Sequence, residues 1–177
     1  MQKEVILVDE IDHPIGVKEK LSAHQEGLLH RAFSVFIFNS SGHLLIHKRS
    51  DLKYHSPGLW TNTCCSHPAP GESTDEAAVK RLEEEMGIRT SLKKIFEFTY
   101  RAEVGNGLIE FEFDHVYAGV SNDSPHPDPS EVSDWKWISL DELRHDMLEF
   151  PEKYTAWFSI AMPILEKNIF EKQLPVS

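Results

Sequence analysis

Cysteine is scarce in this chain of 177 residues: there are two, Cys64 and Cys65, and they are neighbours. Adjacent cysteines rarely bridge, and a disulfide framework needs spaced pairs, so a reducing compartment is expected. No apolar run reaches the roughly 18 residues of a membrane span, so no membrane insertion is expected. The first residues, Met1-Gln2-Lys3-Glu4-Val5, hold no basic stretch followed by an apolar core. No signal peptide is therefore expected, and the cytoplasm is the default location. Basic charge is also short, with 18 Lys and Arg against 29 Asp and Glu and a formal net charge of -11. Nucleic-acid binding wants a basic face and is disfavoured, whereas a small anion can still be held where a few cations or a metal ion reverse the local sign. Internal repeats, low-complexity tracts and long linkers are missing, which leaves one domain. Apolar content of 40% and charged content of 27% are ordinary for a packed globule and exclude general disorder.

The patterning predicts strands first. Residues 4–10 read as a short strand, residues 12–16 as a turn and residues 17–21 as the returning arm of a hairpin. Residues 23–30 read as a polar loop carrying His24 and His30. Residues 31–39 alternate Phe33, Val35 and Ile37 with Ser34, Phe36 and Phe38, a strong strand, and residues 43–49 return from it. Ser73 with Glu76 fits a capping box for a helix running to Met86, stopped by Gly87. Its expected apolar stripe is Ala78, Val79, Leu82 and Met86, with Glu85 at the border. Residues 93–103 and 108–120 read as strands around a Gly105-Asn106-Gly107 turn. Glu110 and Glu112 then share one face, while Ile109, Phe111 and Phe113 take the other. A strand over 132–138, a second capping box at Ser139 and Glu142, and a longer helix interrupted or kinked at Pro163 complete the chain. Strands, a helix, more strands and terminal helices predict an α/β or mixed α+β domain, with a mixed sheet between helices.

The chemistry gathers around Trp60-Thr61-Asn62-Thr63-Cys64-Cys65-Ser66-His67-Pro68. In an extended segment only one of the two thiols points into a site, and Cys65 shares the face of His67. His24, His30, His67, Glu110 and Glu112 have the chemistry of ligands to a borderline divalent ion such as Zn²⁺ or Mn²⁺. The alternative is that these are surface histidines and solvated carboxylates. No HExxH-type metal motif is present.

The turn Gly71-Glu72 followed by Lys80-Arg81-Leu82-Glu83-Glu84-Glu85-Met86-Gly87-Ile88 resembles the Nudix box, in which helix carboxylates hold Mg²⁺ against a diphosphate. Ser66 stands where that box begins with Gly, and Arg81 stands where it has a metal-binding Glu. That second departure argues against ordinary Nudix hydrolysis. A narrower resemblance covers residues 20–30, 49–87, 100–102 and 110–112, together with the Trp60–Pro68 stretch: they resemble type I isopentenyl-diphosphate isomerases. The resemblance implies a single Nudix-like domain over 1–177, with an N-terminal hairpin of about 1–30 added to the core. It implies isomerisation of isopentenyl diphosphate to dimethylallyl diphosphate by a 1,3 proton shift, in isoprenoid biosynthesis. Cys65 and Glu112 match its catalytic residues, with Tyr100 beside them to pass a proton. His24, His30, His67, Glu110 and Glu112 match ligands of a tightly bound Mn²⁺ or Zn²⁺, and Glu85 matches the Mg²⁺ ligand that works with the substrate diphosphate. Lys20, Arg49, Lys53 and Ser66 match substrate contacts, Arg81 adds charge, and Trp157 faces the hydrocarbon tail. Two other readings remain: a Nudix hydrolase, and a non-catalytic domain using the metal as a staple.

Overall fold

The structure, a computed structural model, describes residues 3–172. In chain order its elements are strands β1 (Glu4–Val8) and β2 (Pro14–Glu19), helix α1 (Lys20–Glu26), strands β3 (His30–Phe38), β4 (Leu44–Arg49), β5 (Trp60–Thr61) and β6 (Cys64–Ser66), helix α2 (Thr74–Met86), strands β7 (Lys93–Glu103), β8 (Ile109–Val120) and β9 (Val132–Ile138), helix α3 (Leu140–Glu149), a 3-10 turn (Pro151–Lys153), and helix α4 (Ala156–Lys172). No helix among the described residues is long and apolar enough to cross a membrane.

β3 is the hub of a mixed sheet. It runs parallel to β8 over its whole length and antiparallel to β6, and it touches β1 and β4 at its ends. Alternation along β3 explains why it lies inside. Phe33, Val35 and Ile37 pack on one side against Ala77, Ala78, Leu82 and Met86 of α2. Phe36 and Phe38 pack on the other side with Leu143 of α3 and Phe158 and Leu165 of α4. The sheet is therefore sandwiched between helices, and both faces of β3 leave water.

Five expectations need correction. The returning arm of the hairpin is Pro14–Glu19, so residues 14–16 belong to the strand and not the turn, and Lys20 and Leu21 belong to α1. Residues 23–30 are not a loop: His24 sits on α1 and His30 opens β3. A Glu side chain caps α1, Glu19 accepting from the amides of Leu21 and Ser22, and Gly27 ends it at φ 61°. Gly27 is required there because its backbone conformation is left-handed and Ile109 lies 3.3 Å from where a Cβ would stand. Ser73 is the N-cap of α2, yet its side chain makes no capping bond, and the first-turn acids Asp75 and Glu76 complement the helix start instead. Val79 is 40% exposed and leaves the apolar stripe, its place taken by Ala77. The last helix is not interrupted at Pro163, which lies inside it. The capping box at Ser139 and Glu142 forms as expected.

The segment joining β5 to β6 is too short for ladder bonds, so side chains replace them. Thr63 Oγ1 donates to the Leu45 carbonyl at 2.6 Å and accepts from the Ile37 amide. Asn62 is fully buried. Its amide donates to the carbonyls of Val35 (3.2 Å) and Cys64 (2.8 Å). Its Oδ1 accepts from Thr61 Oγ1 (2.9 Å) and from the Trp157 indole (3.3 Å). One side chain thus sets both the Cys64–Cys65 backbone and the Trp157 ring. Replacing it strands several buried polar groups, each costing about 1–3 kcal/mol. Asn62→Ala is expected to lower unfolding stability by about 2–4 kcal/mol, read from urea denaturation. A loss below about 0.5 kcal/mol would show that the network does not hold the segment.

Candidate active site

Three imidazole nitrogens converge on one carboxylate oxygen. Glu112 Oε1 lies 2.9 Å from His67 Nε2, 3.3 Å from His30 Nε2 and 4.0 Å from His24 Nε2. The other ring nitrogens explain the orientation. His24 Nδ1 donates to the Lys20 carbonyl at 2.7 Å and His30 Nδ1 to the Leu28 carbonyl at 2.8 Å. A carbonyl only accepts, so the proton of each neutral ring sits on Nδ1 and the lone pair on Nε2. Those two Nε2 atoms are buried and make no hydrogen bond. Burial holds the His24 imidazole down to about 4 and that of His67 to about 3, so both rings are neutral at pH 7. Buried lone pairs facing a carboxylate form an arrangement that a cation completes. His24, His30, His67 and Glu112 place a ligand atom each within 4.8 Å of one another. The residues present therefore fit a divalent ion.

Strand register builds this cluster. His30 is paired with Glu112 across the parallel β3–β8 ladder. Tyr100 of β7 is paired with Glu112 on the other side of β8. The Tyr100 hydroxyl donates to Glu112 at 2.6 Å and lies 3.0 Å from Glu110. Burial, then the Glu110 charge, keeps this phenol protonated. Burial and the charge of Glu112 push Glu110 well up, whereas Glu112, against the same burial, is brought well down, chiefly by His67, whose Nε2 lies 2.9 Å from it. Glu110 lies in a second candidate group that shares His24 with the first. It groups with His24 and with His55, a residue that sequence reasoning left in an unassigned loop.

β6 separates the two thiols. Cys64 is fully buried in the core that faces α2, and its Sγ donates to Glu85 Oε2 at 3.4 Å. Cys65, paired with Ser34 of β3, opens on a cavity of about 400 Å³ together with Ser66, His67, Tyr100, Glu112 and Trp157. Burial pushes the Cys65 thiol up to about 12, so it holds its proton at neutral pH.

Lys20, Arg49, Lys53, Arg81 and Glu85 line the same cavity. Arg49 donates to the carbonyls of Ser56 and His55, both at 3.1 Å, and its guanidinium lies 5.2 Å from the centre of the Trp157 ring. Lys53 pairs with Glu131, which sequence reasoning missed. Arg81 contacts Glu84 at 2.8 Å and pairs with Glu85. Burial raises the Glu85 carboxyl in spite of that partner. Every residue expected at the site lies at this cavity or directly behind it. His55 and Glu131 carry no signal in local spacing, because each comes from an irregular segment brought in by the fold.

The NUDIX domain profile matches residues 28–158, which leaves Lys20 and His24 of α1 outside the matched core. The isopentenyl-diphosphate Delta-isomerase of Pectobacterium atrosepticum is 55% identical over 157 residues, covering 89% of this chain and 88% of the relative. That of Nocardia farcinica is 42% identical over 164 residues, covering 92% and 94%. Among solved structures, a Deinococcus radiodurans protein superposes with a TM-score of 0.70 at 22% identity, covering 83% of this chain and 90% of its own. A MutT protein from Methanosarcina mazei superposes at 0.66 with 18% identity, covering 82% and 96%. At those identities the structures speak for the fold, and the sequence relatives speak for the family. The chain belongs to the Nudix domain family and, within it, to the isopentenyl-diphosphate Delta-isomerases.

Proposed function

We propose that this chain interconverts isopentenyl and dimethylallyl diphosphate, with Cys65 and the Tyr100–Glu112 pair as the acid–base groups. The observation that carries the reading is that one cavity receives a protonated thiol, a phenol–carboxylate pair and an indole, with cationic side chains beside them. An isolated alkene is a very weak base. Protonating its terminal methylene leaves a tertiary cation at C3, and loss of a proton from C2 then forms the internal double bond. One group of the acid–base pair delivers the first proton and the other takes the second; the reverse reaction exchanges their roles. Tyr100 touches both Glu110 and Glu112, which gives the spent group a path to regain its proton. The Trp157 ring supports the transient cation by about 0.5–2 kcal/mol through its quadrupole.

Lys20, Arg49, Lys53, Ser66 and Arg81 bind the diphosphate in this reading, and the buried walls keep out water that would trap the cation. His24, His30, His67, Glu110 and Glu112 would hold a tightly bound Mn²⁺ or Zn²⁺, and Glu85 would hold Mg²⁺ at the diphosphate. Such ions supply positive charge that fixes the carboxylates and offsets the substrate's negative charge.

Incubation with isopentenyl diphosphate and Mg²⁺ in D₂O, followed by NMR, is expected to yield deuterated dimethylallyl diphosphate. Release of inorganic phosphate without isomerisation would replace this reading with hydrolysis. Cys65→Ala is expected to abolish turnover, falling at least about 10³-fold, while Cys64→Ala keeps the same order of kcat. A dead Cys64→Ala beside an active Cys65→Ala would reverse the assignment of the two thiols.

The imidazoles also predict a pH dependence. His24 and His47 are held by burial to about 4 and His67 to about 3, against 6.5 for the free side chain. Between those values the unfolded chain binds more protons than the folded one. Stability of the ion-free protein should therefore fall as pH drops from 6.5 through about 4. An ion bound by neutral imidazoles stabilises only the folded state, so saturating Mn²⁺ should move this acid limb to lower pH. Urea midpoints measured across pH with and without Mn²⁺ check this. An acid limb unmoved by the ion would remove His24 and His67 from ion binding.

A further inference from the structure

His24 belongs to two ligand groups at once, one with His30, His67 and Glu112 and the other with His55 and Glu110. Its ring offers a single free lone pair, because Nδ1 is spent on the Lys20 carbonyl. Two separate ions cannot both use that lone pair, so His24 serves a single ion, and the His55–Glu110 group adjoins the His30–His67–Glu112 group through it. His55 is 5% exposed, its Nε2 lies 3.4 Å from Glu110 Oε1, and its buried Nδ1 has no hydrogen-bond partner. Its ring centre stands 5.6 Å from that of His24. The backbone that carries it is strapped down, with Arg49 holding the carbonyls of His55 and Ser56. A buried imidazole without a full set of hydrogen bonds, held rigidly beside an orphaned lone pair and a carboxylate, is placed as a ligand and not as packing.

We propose that His55 is a further ligand to the divalent ion held by His24, His30, His67, Glu110 and Glu112, which makes a six-donor set of four imidazoles and two carboxylates. This rests on the reading that the imidazole cluster holds an ion. Four nitrogens select a borderline first-row ion over Mg²⁺ or Ca²⁺, and six protein donors suit Mn²⁺ or Co²⁺ better than four-coordinate Zn²⁺. A filled set also leaves no position for a bound water. That matters chemically, since a metal-bound hydroxide beside a carbocation would quench it to an alcohol.

The test uses the full-length protein loaded with Co²⁺, in wild type, His55→Ala, His55→Gln and His30→Ala. The wild type is expected to show four paramagnetically shifted imidazole resonances by NMR, and His55→Ala three. Co²⁺ affinity, read by chelator competition, is expected to fall more than about tenfold in His55→Ala, with cobalt d–d bands that gain intensity as one donor is lost. His55→Gln fills the space and keeps a donor to Glu110 without an imidazole, so it separates ligation from packing: it should also show three resonances. Three shifted imidazoles in the wild type would overturn the proposal, whether or not His55→Ala weakens binding, because His55 would then act only on Glu110. A wild type that binds no Co²⁺ would overturn the ion-binding reading itself. His30→Ala should weaken binding in either case short of that one, which marks the difference.

Discussion

The site depends on one electrostatic constraint, the placing of buried imidazole lone pairs against a buried carboxylate. His24 and His30 each give the Nδ1 proton to a backbone carbonyl, which turns Nε2 toward Glu112 and leaves it without a hydrogen. In water such an arrangement would relax by solvation. Here it cannot, because the rings are fully buried. The carbonyls come from Lys20 and Leu28, on either side of the Gly27 turn, so the N-terminal segment outside the matched Nudix core is part of the centre. Lys20, which lines the cavity, and His24 lie one turn apart on the same short helix, so in the proposed reading the anion and the ion would be positioned by one element.

The sheet acts as a ruler for the remaining groups. Because side chains alternate along a strand, a change of one residue moves a group to the opposite face. β8 uses this to present Glu110, Glu112 and Asp114 on one side. β6 uses it to send Cys64 toward α2 and Cys65 into the cavity. Asn62 then fixes the angle of β6 from its Cys64 carbonyl and, through the same side chain, the indole of Trp157. The strand that carries Cys65 and the Trp157 ring are set by one buried amide.

Period and turn chemistry made most of this legible beforehand. β3, β7, β8 and α2 are long, strongly patterned and bounded by glycines or capping residues, and their bounds fall within a residue or two of expectation. The shared face of Glu110 and Glu112 and the division between Cys64 and Cys65 follow from alternation alone. α1 was hidden, because seven residues show no helical period and its cap is a Glu, not Ser, Thr, Asp or Asn. His55 and Glu131 were hidden for a different reason. They reach the cavity through long-range packing of irregular backbone, for which no local pattern exists. The resemblance supplied the roles of Lys20, Arg49 and Trp157, which residue type alone does not distinguish from other cations and core aromatics.

The same geometry explains how a fold shared with hydrolases can favour isomerisation. A diphosphate hydrolase needs an activated water beside phosphorus, and a run of free helix carboxylates can hold the metal ions that activate it. In α2 the guanidinium of Arg81 occupies Glu84 and Glu85, removing negative charge where the Nudix pattern would add a carboxylate. Glu85 is itself 4% exposed and touched by the Cys64 thiol, so little solvent reaches it. At the other end of the cavity His24 and His30 are fully buried behind His67 and Glu112, which line it. The carboxylates of α2 that face the cavity are thus charge-paired with Arg81. In the proposed reaction a tertiary cation formed in this cavity would face Trp157, Cys65 and Tyr100, and loss of a proton would be its route to product.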